Sequence, residues 1–289
     1  MRCASIDIGS NTTALLVAEP SQNGLRLLSK RSVFTHLTGA LIDGAIDAAQ
    51  FEQVTVTVGQ LIHEAHDFDV SRIAIVATGV VRGAKNGPAL VTHVSQAIGI
   101  EVQLLSAPEE AELAFLGATD ARGDLATETC VIDAGGWSTE LIVMQQNGGK
   151  TVTSFPIGSG LLTDRFLLSD PPSDVELASA QKFTDAQFAS MEPVSPRVAL
   201  VVGGGATSAG GLLGGVIDPA GVDRVLQMIR STTTSQFSER FGLSQQRCRL
   251  LPAGLIIMQA ASRRLGVPLE VGRGGLREGL IWRELRRQN

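Results

Sequence analysis

The chain has 289 residues, 44% hydrophobic and 18% charged, a composition that supports a sizeable core and predicts about two domains. Its formal net charge of −5 at pH 7 excludes the general basic character of proteins that coat nucleic acids. No apolar run reaches the roughly 18 residues of a membrane-spanning helix and no leader segment is visible, so we expect a cytoplasmic protein.

The cysteines and histidines do not form a recognisable metal or redox motif. Cys3, Cys130 and Cys248 lack both CxxC and Cys/His spacing, so we interpret them as small buried side chains in a reducing compartment. His63 and His66 lie three residues apart on one predicted helix, but no further ligand is near them in sequence. We therefore interpret both as part of a solvated helix face.

The N-terminal part of the chain begins with predicted strands. Residues 3–8 and 13–19 predict a hairpin closed by a Gly-Ser-Asn turn, and residues 25–34 continue the sheet. Apolar residues at helical spacing predict a helix over about 47–68. The β-branched run at 72–78 then predicts a buried strand.

Strands and helices continue to alternate up to a polar segment. The stretch GVVRGAKNG is a loop or a helix start, and residues 88–98 predict a helix followed by the strand EVQLL. Ser106 and Glu109 form a capping-box pattern that opens the next helix, which stops at Gly117. Residues 119–129 are polar and rich in turn formers. We therefore predict two domains, 1–124 and 125–289.

The second half restarts the strand–turn–strand pattern at Cys130. A second capping-box pattern, Ser173 and Glu176, opens a helix that continues to about residue 191. The other elements are a strand at 197–202 that enters a glycine loop, helices at 221–241 and 252–265, a strand near 269–271 and a basic last helix. This alternation favours the α/β class.

The two halves of the chain share one motif. Its two copies lie 133 − 7 = 126 residues apart, pairing Ile6-Asp7-x-Gly9 with Ile132-Asp133-x-Gly135 and Thr13-x-Leu15 with Thr139-x-Leu141. A repeated device of this kind predicts two similar domains.

The repeated motif carries the residue types of a metal–phosphate site. A buried carboxylate is costly unless it is paired or holds a metal, and Mg²⁺ prefers one or two carboxylates plus phosphate oxygens. Asp7 and Asp133 are therefore candidate Mg²⁺ ligands, and glycines beside them let backbone N–H groups approach a phosphate. Polar donors follow each acid: Ser10, Asn11, Ser138 and Thr139. The alternative is two turn aspartates in ordinary hairpins.

The stretches DIGSNTTALLV and DAGGWSTELIV resemble the two phosphate loops of the actin-like ATPase and sugar-kinase superfamily. More closely, the chain is similar to the exopolyphosphatase / guanosine pentaphosphate phosphohydrolase (Ppx/GppA) family. ATGVVRGA, SAPEEAELAFLG, VGGGATS and GGLREGL fit that family in the right order, so the resemblance spans about residues 3 to 282. It implies an α/β fold of two ribonuclease H-like (actin-like ATPase) domains with a cleft between them.

The resemblance also implies roles for individual residues. Glu110 matches the family's catalytic base, in a first helical turn where the helix dipole favours a negative side chain. Arg82 matches its phosphate-binding arginine, and Glu140 its acidic residue near the metal. The other implied phosphate-binding residues are Gly9, Ser10, Asn11, Gly135, Gly136, Ser138 and Thr139. Trp137, Gly204 and Gly205 are expected to line the cleft. The alternatives are an exposed acidic helix start for Glu110, a solvated loop position for Arg82 and a surface strand position for Glu140.

The resemblance implies a Mg²⁺-dependent phosphohydrolase acting on inorganic polyphosphate or guanosine pentaphosphate. Two residues depart from the family pattern: Trp137 replaces a third glycine, and Arg273 lies where an acid is usual. They motivate the alternative of a regulatory relative that binds such anions without hydrolysing them. An ATP-using kinase or chaperone-like ATPase is a third reading. As partners we expect the phosphorylated substrate and at most a second copy of the chain, a homodimer, with no nucleic acid and no membrane.

Overall fold

The computed structural model describes residues 1–119, 129–145 and 149–287. The chain divides into two compact units. The first unit comprises Met1–Gly123 and Arg273–Asn289, and the second unit comprises Asp124–Gly272.

The first unit is built on a sheet with the strand order β3-β2-β1-β6-β7. Its strands are β1 (Cys3–Ile8), β2 (Thr12–Ser21), β3 (Gly24–Phe34), the short hairpin β4 (Leu41–Ile42) and β5 (Ala45–Ile46), β6 (Arg72–Ala77) and β7 (Val102–Leu104). Its first four helices are α1 (Ala48–His66), α2 (Gly79–Gly83), α3 (Gly87–Ile98) and α4 (Ala107–Thr119). Strands β1, β2 and β3 are antiparallel, whereas β1, β6 and β7 are parallel.

The second unit contains a sheet with the order β10-β9-β8-β11-β13-β12. Its elements are β8 (Thr129–Ala134), β9 (Thr139–Met144), β10 (Lys150–Phe155), α5 (Ser159–Phe166), α6 (Asp174–Phe188), β11 (Val198–Val202), α7 (Gly204–Leu213), β12 (Val216–Ile217), α8 (Pro219–Ile229), α9 (Thr234–Phe241), α10 (Gln245–Leu265) and β13 (Leu269–Val271). Strands β8, β9 and β10 are antiparallel, and β8, β11 and β13 are parallel.

Apart from the additional edge strand β12, which pairs antiparallel with β13, the two sheets repeat the same topology: an antiparallel meander followed by two parallel strands. The repeat extends to the register. Asp7 lies opposite Ala14 on β2 and Val76 on β6, and Asp133 lies opposite Glu140 on β9 and Val202 on β11. Each pair of partners is again 126 residues apart (140 − 14 and 202 − 76). The repeated motif therefore occupies the same place in two copies of one supersecondary structure.

The last helix, α11 (Leu276–Arg286), belongs to the first unit. Leu280 packs in one core cluster with Val76 and Leu113, and Ile281 in another with Leu16. The predicted second domain of 125–289 therefore extends too far. The sequence pattern does not predict this return, because an amphipathic helix can cover either sheet.

Glycines allow α11 to lie close against α4. A Cβ added at Gly279 would lie 1.9 Å from the carbonyl oxygen of Leu113, and one added at Gly117 would lie 1.9 Å from that of Gly275. We expect Gly279→Ala to lower the free energy of unfolding by about 1–3 kcal/mol, because neither backbone can move away without loss of packing. Urea unfolding measures the change.

The control is Gly211→Ala in α7, where an added Cβ meets nothing within 4 Å. That change should raise stability by about 0.5–1 kcal/mol, since alanine is the better helix former. Equal effects of the two substitutions would contradict the close packing of α4 and α11.

Two helix predictions in the second unit were wrong. The predicted helix 221–241 is two helices, because Thr233 forms a capping box with Gln236 and starts a new helix, α9. The predicted helix at 252–265 begins earlier, at Gln245, where Ser244 accepts a hydrogen bond from the backbone N–H of Arg247. Pro252 lies inside this helix, whereas proline is more typical of its first turn.

Most other predicted elements are confirmed to within a few residues, among them the strands of both hairpins and helices α1, α3 and α4. All three cysteines are buried and reduced, as expected. Within the described residues, no helix has the length and hydrophobicity needed to cross a bilayer.

Candidate active site

In the first unit the candidate site begins where β1 ends. The chain turns tightly after Ile8, and the N–H of Gly9 donates to the carbonyl oxygen of Thr12 at 3.0 Å. A Cβ on Gly9 would lie 3.0 Å from that oxygen and 3.5 Å from Oδ2 of Asp7. A side chain at this position would be crowded, so glycine suits this close turn, and the Asp7 carboxylate lies beside it.

Asp7 is half-buried, and its hydrogen-bonding partner is the residue that follows the neighbouring strand β6. The hydroxyl of Thr78, which follows β6, donates to Oδ1 of Asp7 at 3.2 Å. Burial, and after it the negative charge of Glu110, raise the pKa of Asp7 from 3.8 to about 7, although Arg277 and the Thr78 hydroxyl act in the opposite direction. Near neutral pH this carboxyl therefore lacks sufficient positive charge around it, as expected for a group that binds a cation.

Ser10 and Asn11 fix the turn to two neighbouring segments. Oγ of Ser10 accepts the N–H of Val80, in the first turn of α2, at 3.0 Å. The carbonyl oxygen of Asn11 accepts the N–H groups of Thr35 and His36, each at 3.0 Å. Both side chains are buried. The hydroxyl hydrogen of Ser10 is not used by its contact with Val80, so a donor for an anion remains on that side chain.

Arg82 and Glu110 form an ion pair. Nη1 of Arg82 donates to Oε2 of Glu110 at 2.6 Å and to the carbonyl oxygen of Leu105 at 3.1 Å. Glu110 lies in the first turn of α4 with 9% of its surface exposed, so it is not an exposed acidic helix start. The capping box predicted for Ser106 and Glu109 is present and orients this turn. A planar guanidinium this close fixes the direction in which the Glu110 carboxylate points.

In the second unit two buried carboxylates lie directly opposite each other on adjacent strands. Asp133 on β8 is paired with Glu140 on β9, and they are 8% and 1% exposed. Oε1 of Glu140 accepts the hydroxyl of Ser154 at 2.9 Å. Residues directly opposite in an antiparallel sheet share a face, and like charges there repel unless a cation or proton compensates them. Glu140 is therefore not a surface strand position.

The turn after β8 packs against the start of α5. The N–H of Gly135 donates to the carbonyl oxygen of Ser138 at 3.1 Å, which repeats the Gly9 contact of the first unit. A Cβ on Gly158 would lie 2.3 Å from the backbone of Gly136 and from that of Trp137. In the described residues positive φ outside glycine occurs at His36, Asp43 and Asp69, so Trp137 occupies its place without backbone strain.

The remaining predicted residues of the second unit differ in how their polar groups are used. The buried hydroxyl of Thr139 donates to the carbonyl oxygen of Ile157 at 2.7 Å, so that hydrogen is committed within the protein. Ser138 is also buried. Gly204 and Gly205 begin helix α7 rather than a loop, and the carbonyl oxygen of Gly204 accepts Nη1 of Arg247 at 3.0 Å.

The first unit thus brings together three residues that are distant in sequence: Asp7, Arg82 and Glu110. Two residues near them were missed. Thr78 has a recognisable signal, a threonine at the end of a strand and the start of a helix, whereas Arg277 belongs to the last helix, for which the sequence pattern predicts only a basic helix. Arg277 is instead half-buried, donates to the carbonyl oxygen of Leu15 at 3.2 Å and lies close enough to Asp7 to affect its pKa.

The candidate donors of each unit, taken by themselves, fit a hard cation such as Mg²⁺ in their chemistry. Asp7, Asp133 and Glu140 all offer carboxylate oxygens in partly or fully buried surroundings. In the described ranges no cluster of three or more His, Cys, Asp or Glu side chains could hold a metal ion.

Residues 16–288 match the family model described as "Ppx/GppA phosphatase family". Two similar proteins are Exopolyphosphatase 1 of Mycobacterium leprae (strain TN) and of Mycobacterium tuberculosis (strain ATCC 25618 / H37Rv). Each is 26% identical over 304 residues and covers 99% of this chain, with 90% and 88% of its own length matched.

Solved structures show the same fold. The crystal structure of the Aquifex aeolicus member of the Ppx/GppA family has a TM-score of 0.80 and 26% identity, over 100% of this chain and 99% of that one. An exopolyphosphatase from Cytophaga hutchinsonii has a TM-score of 0.86 at 19% identity, covering 99% and 98%. With the repeated sheet topology, these similarities confirm the predicted α/β class with two actin-like units.

Proposed function

This chain belongs to the Ppx/GppA phosphatase family and is a phosphoanhydride hydrolase, and from that premise we propose that it is a Mg²⁺-dependent exopolyphosphatase. The substrate would be inorganic polyphosphate, from which the enzyme releases the terminal phosphate. Relatives named exopolyphosphatase that match almost the whole chain support this choice.

The observation that carries the proposal is the grouping of Asp7, Arg82 and Glu110 in the first unit. Arg82 contacts Glu110 at 2.6 Å, and the charge of Glu110 raises the pKa of Asp7, so Glu110 interacts electrostatically with both other groups. A cation-binding carboxylate, a phosphate-binding guanidinium and a second carboxylate are the parts that phosphoryl transfer to water requires.

In the proposed reaction Glu110 accepts a proton from the attacking water. The water oxygen forms a bond to the terminal phosphorus, and the bond from that phosphorus to the bridging oxygen breaks. The products are orthophosphate and a chain shorter by one phosphate. Arg82 would bind the terminal phosphate, because the planar fork of a guanidinium suits phosphate oxygens.

We propose Asp7 as the carboxylate ligand of Mg²⁺ in the first unit, and Asp133 and Glu140 as the candidate ligands in the second unit. When bound, the cation neutralises negative charge on the phosphate oxygens. The turn glycines, with Ser10 and Asn11 in the first unit and Ser138 in the second, would supply hydrogen-bond donors to phosphate oxygens. For Thr139 only the backbone remains for such a role, since its hydroxyl donates to Ile157.

Guanosine pentaphosphate is the second candidate substrate, because it presents a terminal phosphate to the same donors. A regulatory protein that binds these anions without hydrolysis is the alternative from another class. Trp137 motivated that alternative, and its unstrained backbone supports the view that the loop keeps a functional shape.

One panel tests the proposed function. Phosphate release is measured from short and long polyphosphate, guanosine pentaphosphate and ATP, each with Mg²⁺ and with EDTA. We expect release from polyphosphate that requires Mg²⁺. Thermal stabilisation by polyphosphate without release would favour the regulatory alternative, and phosphorylation of an acceptor by ATP would favour a kinase.

A further inference from the structure

The first unit contains a threonine whose hydroxyl is used in an unusual way. Thr78 is the N-cap residue of α2, a position where a threonine hydroxyl ordinarily accepts a hydrogen bond from the first helical turn. Here the side chain makes no such bond. Its Oγ1 instead donates to Oδ1 of Asp7, 71 residues earlier in the chain, at 3.2 Å.

The hydrogen bond that caps the start of α2 comes from Ser10 instead of Thr78. The N–H of Val80, in the first turn of α2, is accepted by Oγ of Ser10, in the turn after β1. The N–H of Thr78 also donates to the carbonyl oxygen of Ile8 at 3.2 Å. The β1 turn and the start of α2 therefore exchange side-chain hydrogen bonds, each supplying what the other lacks.

This exchange joins the proposed cation ligand to the proposed phosphate ligand. Thr78 lies at the start of α2, and Arg82 lies in its last turn. Arg82 in turn holds Glu110 at 2.6 Å. A displacement of the β1 turn would thus be transmitted through a five-residue helix to the guanidinium and then to the second carboxylate.

Resting on the proposed cation-binding role of Asp7, we propose that Thr78 is a positioning residue for that carboxylate. Its hydroxyl holds Oδ1 and so fixes the rotation of the carboxylate plane. Oδ2, the oxygen nearer to Gly9, is then directed to receive the cation. Thr78 is 4% exposed, so water cannot replace the donor when the hydroxyl is removed.

Two substitutions separate this role from a packing role. Thr78→Val keeps the shape of the side chain and removes the hydroxyl, whereas Thr78→Ser keeps the hydroxyl. Thr57→Val is the matched control, because Thr57 is also buried in the first unit but donates only to the carbonyl oxygen of Gln53 within α1, at 2.8 Å.

Phosphate release from polyphosphate is measured over a range of Mg²⁺ concentrations. We expect Thr78→Val to raise the Mg²⁺ concentration for half-maximal rate by about 10-fold or more, the effect of a lost hydrogen bond to a charged group. Thr78→Ser should return to within about 3-fold of the wild type, and Thr57→Val should not shift the curve. A shift shared by Thr78→Ser or by Thr57→Val would overturn the proposal.

A second measurement does not depend on activity. The urea midpoint is determined in EDTA for the wild type, Thr78→Val, Asp7→Ala and the double variant. We expect Thr78→Val to lower the urea midpoint in the wild-type background. In the Asp7→Ala background the same substitution should have less than about half that effect, because the two side chains interact directly. Additive shifts would overturn the proposal. A wild type without phosphate release would refute the proposed function, and this cycle would still decide the role of Thr78.

Discussion

Replacing Glu110 by glutamine is expected to leave a folded protein whose rate of phosphate release falls by about 10²–10⁴-fold, the usual contribution of a general base. Glutamine has the same shape and keeps an oxygen that can accept Nη1 of Arg82, so the contact of 2.6 Å has a counterpart in the variant. What is lost is a carboxylate able to take a proton from water. The turnover number with polyphosphate and saturating Mg²⁺ measures the loss.

The matched control is Glu109→Gln, one residue earlier on the same helical turn. Glu109 is exposed and completes the capping box with Ser106, a role that glutamine also performs. We expect turnover within about 3-fold of the wild type for this control. A rate near that of the wild type in Glu110→Gln would remove Glu110 from the mechanism, and equal losses in both variants would assign the effect to helix geometry.

Replacing Asp7 by asparagine is expected to change activity and stability in opposite directions. Loss of the carboxylate should lower phosphate release by about 10²-fold or more, because a charge that stabilises the transition state through the cation is removed. At pH 8 in EDTA the same change should raise the free energy of unfolding by roughly 1–3 kcal/mol. This range is below the full conversion of the pKa shift, at about 1.4 kcal/mol per pKa unit, because the carboxylate is only half-buried.

The direction of the expected stability change follows from the pKa of Asp7, which burial raises from 3.8 to about 7 in the folded protein. Between these values the folded state binds a proton that the unfolded state has released, so the contribution of Asp7 to stability falls as pH rises through this window. Above about pH 7 the carboxylate is ionised in the folded state, so its burial lowers the free energy of unfolding by the full amount. The stability gain of Asp7→Asn should therefore be small at about pH 4–5, close to the pKa of the unfolded state, and largest at pH 8.

Asp43→Asn serves as the control, since Asp43 is an exposed turn residue of the same unit and its conformation also suits asparagine. Its effect on stability should not grow with pH. Urea unfolding at several pH values measures both variants. An Asp7→Asn protein that is less stable than the wild type at pH 8 would show that the carboxylate contributes to folding rather than opposing it.

Much of the fold was accessible from the sequence because strong local signals agree with the tertiary structure. The capping box at Ser173 and Glu176 starts α6 where expected, and the β-branched run before Thr78 forms β6. The break between α8 and α9 was not accessible in the same way. The residues around it suit a helix, and only the capping box at Thr233 marks the new start.

The candidate site was accessible in part for a different reason. Asp7 and Asp133 were identified because their motif occurs twice, and the matching register of both sheets explains why the repeat exists. The contact of Arg82 with Glu110 was not deducible from spacing, since it depends on how α2 and α4 meet beyond β6 and β7. Long-range hydrogen bonds such as that of Thr78 leave no periodic signal in a sequence.

The return of α11 to the first unit has a consequence for the order in which the protein folds during synthesis. Domains generally fold as they leave the ribosome, the N-terminal one first. Here residues 273–287 carry Leu280 and Ile281, which close the core around β1 and α4, and they are translated after the entire second unit. The unit that is begun first is therefore completed last. Its unfinished sheet must stay protected from aggregation while the second unit, about 150 residues, is added.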